Sequence, residues 1–433
     1  MRILNSKISF LLALGDIFSF TFSLFLTLII RYGFKVSPEI VRDHVIPFAV
    51  LFVLWVLVFL IAGLYEKRSV IFRRELLSIL LKAQAVNAVI AVAFFYFATF
   101  AKVAPKTNLF IYLFISSILI ILWRTRGAFS SYNYEETALM LAHGPDVDAL
   151  KHEIKTKKGY ALNIVTQSDD QKIDSIQNIS VVIFDAHDPK TKDSHKDLYQ
   201  LIFSHVQFID ITEVYENVFG RVPLSLVNEG WFLENISTQP KMTYEALKRG
   251  MDIILSGILG IASLVLYPLV ILLIATTSKG PVFIFQKRIG KDNQPITIPK
   301  FRTMIVNDGG AWITDNDNRI TTVGKFLRAT RIDELPQLFS VIKGDMSLIG
   351  PRPDIYDLGE KLAKEIPYYK IRNVIKPGLS GWAQIEQQTP PQSLEETTLR
   401  LAYDFYYIKN RSFVLDLKIA LRTIKTLLSR VGR

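Results

Sequence analysis

The sequence predicts three parts in series: a membrane α-helical N-terminal bundle over residues 1–130, an α/β Rossmann-like middle domain over 131–235, and a C-terminal domain over 236–433 that carries a re-entrant membrane helix at 251–276. Three observations carry that reading. Apolar runs near 8–30, 46–64, 80–101 and 107–123 are each about long enough to cross a hydrocarbon core of roughly 30 Å. Residues 135–214 then alternate short apolar runs with polar helical stretches, the pattern of a parallel sheet with crossover helices. A fifth apolar segment, 251–276, has basic residues at both ends rather than at one.

Composition bounds the chemistry. With 50% hydrophobic and 21% charged residues among 433, the chain is too apolar for an ordinary soluble protein and too charged to lie wholly in lipid. The absence of cysteine excludes disulfides and thiolate metal sites and suits a reducing compartment. A net charge of +11 suits nucleic acid, anionic lipid headgroups or phosphorylated substrates. So many apolar segments put lipid and phosphate first. No RNA-binding signature or helix-turn-helix pattern is present, so no nucleic-acid partner is expected.

In the bundle, Arg2 and Lys7 precede the first span, Lys67, Arg68, Arg73 and Arg74 fill the second connection, and Arg124 and Arg126 follow the fourth. These segments are placed in the cytoplasm, although Arg31, Lys35, Arg42, Lys102 and Lys106 on the other side make the bias modest. Asp16 and Asn87 interrupt the first and third spans, where polar groups face other helices rather than lipid. The first run lacks a small-residue cleavage site and three more spans follow it, so a cleavable signal peptide is not expected.

Strands of the middle domain are expected at 137–142, 161–165, 181–184 and 206–211. The turn after the first reads Ala142-His143-Gly144-Pro145-Asp146-Val147, where a dinucleotide site needs G-x-G-x-x-G. Pro145 removes an N–H and Asp146 repels phosphate. A domain without a cofactor is expected, serving as spacer, regulatory unit or oligomer contact, which puts a homodimer among the expected partners. Residues 220–237 read as a linker whose Trp231 and Phe232 either anchor at the membrane interface or simply pack. Lys241, Lys248 and Arg249 precede the fifth apolar segment and Lys279, Lys287 and Arg288 follow it, while Pro268 lies inside it. That symmetry favours a helix that enters the membrane, bends and returns, with a kinked crossing as the alternative.

Residues 280–304 read GPVFIFQKRIGKDNQPITIPKFRTM, in which Lys287, Arg288, Lys300 and Arg302 bracket the turn residues Gly290, Asn293 and Pro295. This is either a phosphate-facing loop or an ordinary basic one. Residues 307–318, rich in Gly, Asp and Asn, read as a mobile lid. Then comes TRIDELPQLFSVIKGDMSLIGPRP, residues 330–353, with Leu335, Leu338, Phe339 and Ile342 at helical spacing, Thr330 or Asp333 as N-cap and Gly344 at the expected end. Asp333 and Glu334 are thereby put at a helix N-terminus, with Arg328 and Arg331 on the approach. Two adjacent carboxylates among arginines suit a metal ion plus phosphates, and equally suit a helix cap. Asp345 comes next, and Pro351 and Pro353 fix the backbone on both sides of Arg352, the held guanidinium that phosphate recognition needs. Beyond them lie KPGLSGWAQI at 376–385, Asp404 in an aromatic helix, and a basic amphipathic tail at 412–430 that lies on the membrane surface or packs on the domain.

Together these motifs, from about Lys248 to the C-terminus, resemble the bacterial sugar transferases, the polyprenyl-phosphate glycosyl-1-phosphate transferases. The whole resembles their large membrane-anchored members, the undecaprenyl-phosphate hexose-1-phosphate transferases. The resemblance implies a mixed α/β catalytic domain with a re-entrant helix broken at Pro268. It implies transfer of a sugar 1-phosphate from a UDP-sugar to polyprenyl phosphate with release of UMP, initiating exopolysaccharide, capsule, O-antigen or glycoprotein glycan assembly. The site would face the cytoplasm from the bacterial inner membrane. Exchanging one phosphoanhydride for another needs a nucleophile whose phosphorylated form keeps a high transfer potential, which a carboxylate does. Asp333 is the expected nucleophile and Glu334 its acidic partner. Asp333, Glu334 and Asp404 are the expected Mg²⁺ ligands. Arg319, Arg328, Arg331 and Arg352 are expected on the phosphates, and Lys300 and Arg302 on the nucleotide side. A family glycine is Asn293 here and a family aromatic is Ile296, so the local turn differs. Two rivals compete: a membrane-bound nucleotide-sugar dehydratase or epimerase, for which Tyr244 and Lys248 have the Tyr-x-x-x-Lys spacing, and a non-catalytic scaffold, which would lack the acidic pair and its arginines.

Overall fold

The computed structural model describes residues 6–34, 36–65, 73–97, 106–127, 136–156, 162–166, 179–185, 199, 206–236, 242–305, 319–387 and 389–428. The expected lid at 307–318 lies outside the described residues, as do Arg2, Lys35, Lys67, Arg68, Lys102 and Lys241. Two compact units divide the chain, Met1–Phe219 and Gly220–Arg433.

The first unit begins with α1 (Ser6–Tyr32), α2 (Pro38–Ile61), α3 (Arg73–Phe97) and α4 (Lys106–Leu122). Among the described residues these four helices are long and apolar enough to span a membrane, and the chain is a membrane protein. Ser37 and Pro38 start α2: the Ser37 hydroxyl accepts from the Ile40 amide at 3.4 Å, and Pro38 sits where a missing N–H costs nothing. An aromatic core of Phe20, Phe48, Trp55, Phe59 and Tyr112 joins the helices, with Trp55 stacked on Tyr112 at 5.4 Å. The interrupting polar groups turn inward as expected. Asp16 is fully buried and accepts from Arg124 Nε at 3.0 Å and from the Tyr65 hydroxyl at 2.8 Å. Arg124, on the π-helical turn Trp123–Gly127, also donates Nη1 to the Leu64 carbonyl at 2.8 Å.

The same unit holds β1 (Glu136–Leu141), α5 (Pro145–Thr156), β2 (Leu162–Thr166), β3 (Val181–Phe184), β4 (Gln207–Asp210) and α6 (Ile211–Phe219). The strands form one parallel sheet in the order β2-β1-β3-β4, close to their expected positions. Val181, Val182 and Ile183 are wholly buried, as an apolar run in a parallel sheet covered on both faces requires.

In the second unit, α7 (Glu229–Asn235) is capped by Asn228, whose side chain accepts from the Trp231 amide at 3.0 Å. Residues 220–236 therefore are not a linker. Trp231 and Phe232 are buried with Leu362, Tyr369 and Phe405 in one cluster, so they pack rather than anchor at an interface. Helices α8 (Met242–Leu264) and α9 (Tyr267–Thr277) come next, bent by 58° across Val265 and Leu266. Pro268 lies in the first turn of α9, where its ring stops α8 from continuing and its missing N–H leaves no broken bond. Strands β5 (Phe283–Ile289) and β6 (Pro295–Phe301) make an antiparallel hairpin in register from Phe283 opposite Phe301 to Ile289 opposite Pro295. Beyond it lie α10 (Thr322–Ala329), α11 (Gln337–Lys343), β7 (Ser347–Ile349), α12 (Tyr356–Glu365), β8 (Gly378–Ser380) parallel to β7, α13 (Trp382–Glu386), α14 (Leu394–Asn410) and α15 (Phe413–Leu428). In the tail helix α15, Ile419 is buried against Trp382 and Tyr407, while Leu417, Leu421 and Ile424 form an exposed apolar stripe.

Candidate active site

The acidic pair occupies a turn of its own. Thr330 is the C-cap of α10 rather than the N-cap of α11, Arg331 takes a left-handed conformation (φ 59°), and Ile332–Glu334 form one 3-10 turn. Helix α11 starts only after Pro336, which has no N–H to give it. The expected apolar stripe splits accordingly. Of its members Leu338 is buried, whereas Phe339 (67%) and Ile342 (40%) are exposed; Val341, outside the expected stripe, is buried instead. Gly344, at φ 100°, ends the helix as expected, and Arg249 of α8 donates to the Val341 and Ile342 carbonyls at 2.7 Å each. Asp252, also on α8, accepts from the Leu348 amide at 3.0 Å. The bent apolar helix thus fixes the C-terminal end of α11 and the strand β7 that follows it.

Asp333 is 7% exposed and its Oδ1 makes no hydrogen bond. Burial, and then the Glu334 charge, raise its pKa above the usual aspartate range against the pull of Lys300, Arg331 and Arg328. Glu334 moves the other way. Burial works against its charge, but Arg352, 2.5 Å away through Nη2, together with Lys300 and with Arg331 at 3.5 Å, holds it well below the glutamate range. Lys300 is brought down to about 8, by burial first and then by Arg288. Two adjacent carboxylates with opposed shifts are what an acid pair with divided labour requires.

Arg352 is aimed through its backbone. The Pro351 carbonyl accepts from the Gly378 amide at 2.9 Å, the Arg352 carbonyl from Arg372 Nη2 at 2.9 Å, and the Pro353 carbonyl from Arg288 Nη1 at 2.9 Å. The next residue, Asp354, is bound by Arg372, by Arg400 at 2.9 Å and by the Tyr369 hydroxyl at 2.7 Å. Asp354, Tyr369, Arg372 and Arg400 were not legible as site residues, because they come from separated segments and no local pattern marks them.

Lys300, Arg328, Arg331 and Arg352 stand around Asp333 and Glu334. Arg328 Nη1 is buried without a hydrogen bond. Arg319 lies just after the undescribed stretch, with its carbonyl accepting from the Ile305 amide at 2.9 Å. Arg302 is set apart: its Nη2 donates to the Ser278 carbonyl at 2.7 Å and hydroxyl at 3.0 Å, capping α9. Gly280 sits at φ 125°, a backbone conformation that other residues rarely adopt, and a Cβ there would also crowd Arg302 Nη1. Asp404, expected as a further metal ligand, is instead bound by Arg372, Nε at 2.9 Å and Nη2 at 2.7 Å. Among the described residues no three His, Cys, Asp or Glu side chains form a metal-sized group. Asp333 with Glu334 still fits Mg²⁺, because Asp333 Oδ1 is a hard oxygen with no donor and this ion is commonly held by one or two carboxylates plus substrate phosphates.

Tyr244 and Lys248 both donate to one carboxylate, Asp416, at 2.9 and 2.8 Å, and Tyr407 donates to its other oxygen at 2.7 Å. Their spacing serves to tie α8 to α14 and α15, not to handle a substrate hydroxyl.

Residues 243–430 match the family described as bacterial sugar transferase. An N-acetylgalactosaminephosphotransferase of Aeromonas hydrophila, named for UDP-N-acetylgalactosamine and undecaprenyl phosphate, is 40% identical over 241 residues, 54% of this chain and 55% of its own length. A UDP-glucose:undecaprenyl-phosphate glucose-1-phosphate transferase of Klebsiella pneumoniae is 44% identical over 185 residues, 41% of this chain and 39% of its own. The exopolysaccharide production protein PSS of Rhizobium leguminosarum bv. phaseoli is 39% identical over 194 residues, 42% of this chain and 96% of its own. The chain thus spans about half the length or less of the first two relatives and nearly all of the third.

Proposed function

The chain belongs to the bacterial sugar transferase family, and from that premise we propose that it moves a sugar 1-phosphate from a UDP-sugar to polyprenyl phosphate, undecaprenyl phosphate in particular, releasing UMP. Relatives named for undecaprenyl-phosphate transfer support the donor and acceptor classes, and one named for exopolysaccharide production supports an initiating role in glycan assembly. The observation that carries the reading is the buried Asp333 oxygen without a donor, beside a Glu334 locked in its charged form by Arg352.

Asp333 attacks the sugar-bearing phosphorus of the donor. An oxygen–phosphorus bond forms to the carboxylate, the bond to the bridging oxygen breaks, and UMP leaves with the electron pair. The acyl phosphate keeps anhydride character, so a polyprenyl phosphate oxygen then displaces Asp333 and regenerates the carboxylate. Lys300, Arg328, Arg331 and Arg352 offset the charge of the diphosphate, and Arg352 keeps Glu334 ionised. Asp333 and Glu334 would hold Mg²⁺, which when bound neutralises diphosphate charge as a Lewis acid.

The bend between α8 and α9 supports a re-entrant pair with both ends at one membrane face, and the basic residues around the N-terminal spans support a catalytic unit on the cytoplasmic side of the inner membrane. We read the parallel sheet as a Rossmann-like domain without a nucleotide site, since Asp146 stands at its first turn and binds the Tyr215 hydroxyl at 2.9 Å. Membranes containing the chain, given a panel of UDP-sugars and undecaprenyl phosphate, are expected to release UMP with at least one donor. Silence with every donor would remove the reading.

A further inference from the structure

The loop that carries Arg352 is held through its backbone carbonyls. Pro351 and Pro353 have no N–H, so their neighbours hold the segment through its carbonyls. Of the three donors on those carbonyls, Arg372 is the one on Arg352 itself. Its fork is fully used: Nε and Nη2 face Asp404, Nη1 faces Asp354, and Nη2 also reaches the Arg352 carbonyl. Burying a 1% exposed arginine with two carboxylates is a poor way to gain stability, because desolvation consumes most of the attraction and apolar packing would serve as well. What the network supplies and apolar packing cannot is direction. A rigid fork held from behind by Asp404 points a donor at one carbonyl of one loop.

We propose that Arg372 is a positioning residue for the transfer, fixing the 351–353 loop so that the Arg352 guanidinium meets Glu334, and that Asp404 serves to hold Arg372 rather than a metal ion. The inference rests on the transfer reaction proposed above. A lysine at 372 keeps the charge but lacks the planar fork that meets Asp354, Asp404 and the Arg352 carbonyl together.

The test is a double-mutant cycle on UMP release by the full chain in lipid nanodiscs. Arg372→Lys is expected to lower kcat by about 10²-fold with KM for the UDP-sugar changed far less, since misplacement of a catalytic group by about 1 Å costs that much. Arg372→Lys combined with Arg352→Lys is expected to be no slower than Arg352→Lys alone, because one residue acts through the other. Multiplying defects would overturn the proposal. Asp404→Asn is expected to lower kcat at an unchanged Mg²⁺ requirement, and a raised requirement relieved by excess Mg²⁺ would return Asp404 to the metal. Hydrogen exchange on the same samples reads the clamp without turnover. Amides of Gly350, Arg352 and Gly378 are expected to exchange faster in Arg372→Lys and Asp404→Asn while α14 stays protected, and unchanged exchange refutes the clamp. If the unaltered chain releases no UMP with any donor, the transfer reading fails and exchange alone decides the positioning role.

Discussion

A buried carboxylate oxygen without a donor is a cost that folding bears, and here it falls on Asp333, the proposed nucleophile. Because the folded pKa of Asp333 is raised, its contribution to stability declines as pH rises from the unfolded value of 3.8 through the folded one, and the charged form is a net burden at neutral pH. Asp333→Asn is therefore expected to abolish turnover and yet raise the melting temperature by about 2 °C, roughly 1 kcal/mol for a unit of this size. A lower melting temperature would contradict the electrostatic account, and more than a few per cent of activity would contradict the chemical one. The same shift sets the pH profile. Activity should fall on the acid side at a pH above the ordinary aspartate range, where Asp333 takes up its proton while Glu334 stays ionised. On the alkaline side Lys300 loses its charge near 8, and Lys300→Arg should move that limb upward. Adjacent acids among arginines were legible at this scale as types and spacing. Which oxygen is bare and which is locked was not, because sequence spacing does not show that Arg352 pairs with Glu334 alone, and Arg372, which holds the Arg352 carbonyl, comes from another segment.

At the level of elements, periodicity located α11 but misjudged where it begins. Thr330 has an N-capping side chain, yet it closes α10, and Pro336 delays the next helix until the acids have passed. A capping residue reads the same from either side; only tertiary structure says which helix it serves. Pro268 was legible because its ring acts locally, and the 58° bend is the result. Both ends of the α8–α9 pair are open to a topology test on a chain with no cysteine of its own. Single cysteines in place of Met242 and Lys279 are expected to react with an impermeant maleimide only from the cytoplasmic side, whereas labelling from opposite sides would make the pair a kinked crossing. Arg249→Ala removes the donors on the last carbonyls of α11. It is expected to cost about 1–2 kcal/mol and to slow UMP release, with hydrogen exchange rising at the Gly344 amide.

Over the whole molecule, the order of parts was legible because each solvent imposes its own period: unbroken apolar runs in lipid, short buried strands in the sheet, and polar loops between them. The end of the middle part was not. Residues 220–236 look like a linker by composition, but Trp231 and Phe232 find Phe405 more than 170 residues later, a contact that no local pattern announces. The N-terminal helices close on a contact of the same kind, the Asp16–Arg124 pair. Removing one partner is expected to cost about 3–5 kcal/mol and to lower the yield of folded protein in detergent, while Asp16→Leu with Arg124→Leu should recover much of it. Equal loss in the single and double variants would show that the pair does more than balance charge.

That pair also dates the bundle. Its partners lie 108 residues apart, so Asp16 leaves the ribosome about 5–20 s before Arg124 does. For that interval the first helix carries an acid whose counter-charge has not yet been made. The fourth helix is therefore the clasp of the assembly: a nascent chain stopped before Arg124 lacks the partner of Asp16.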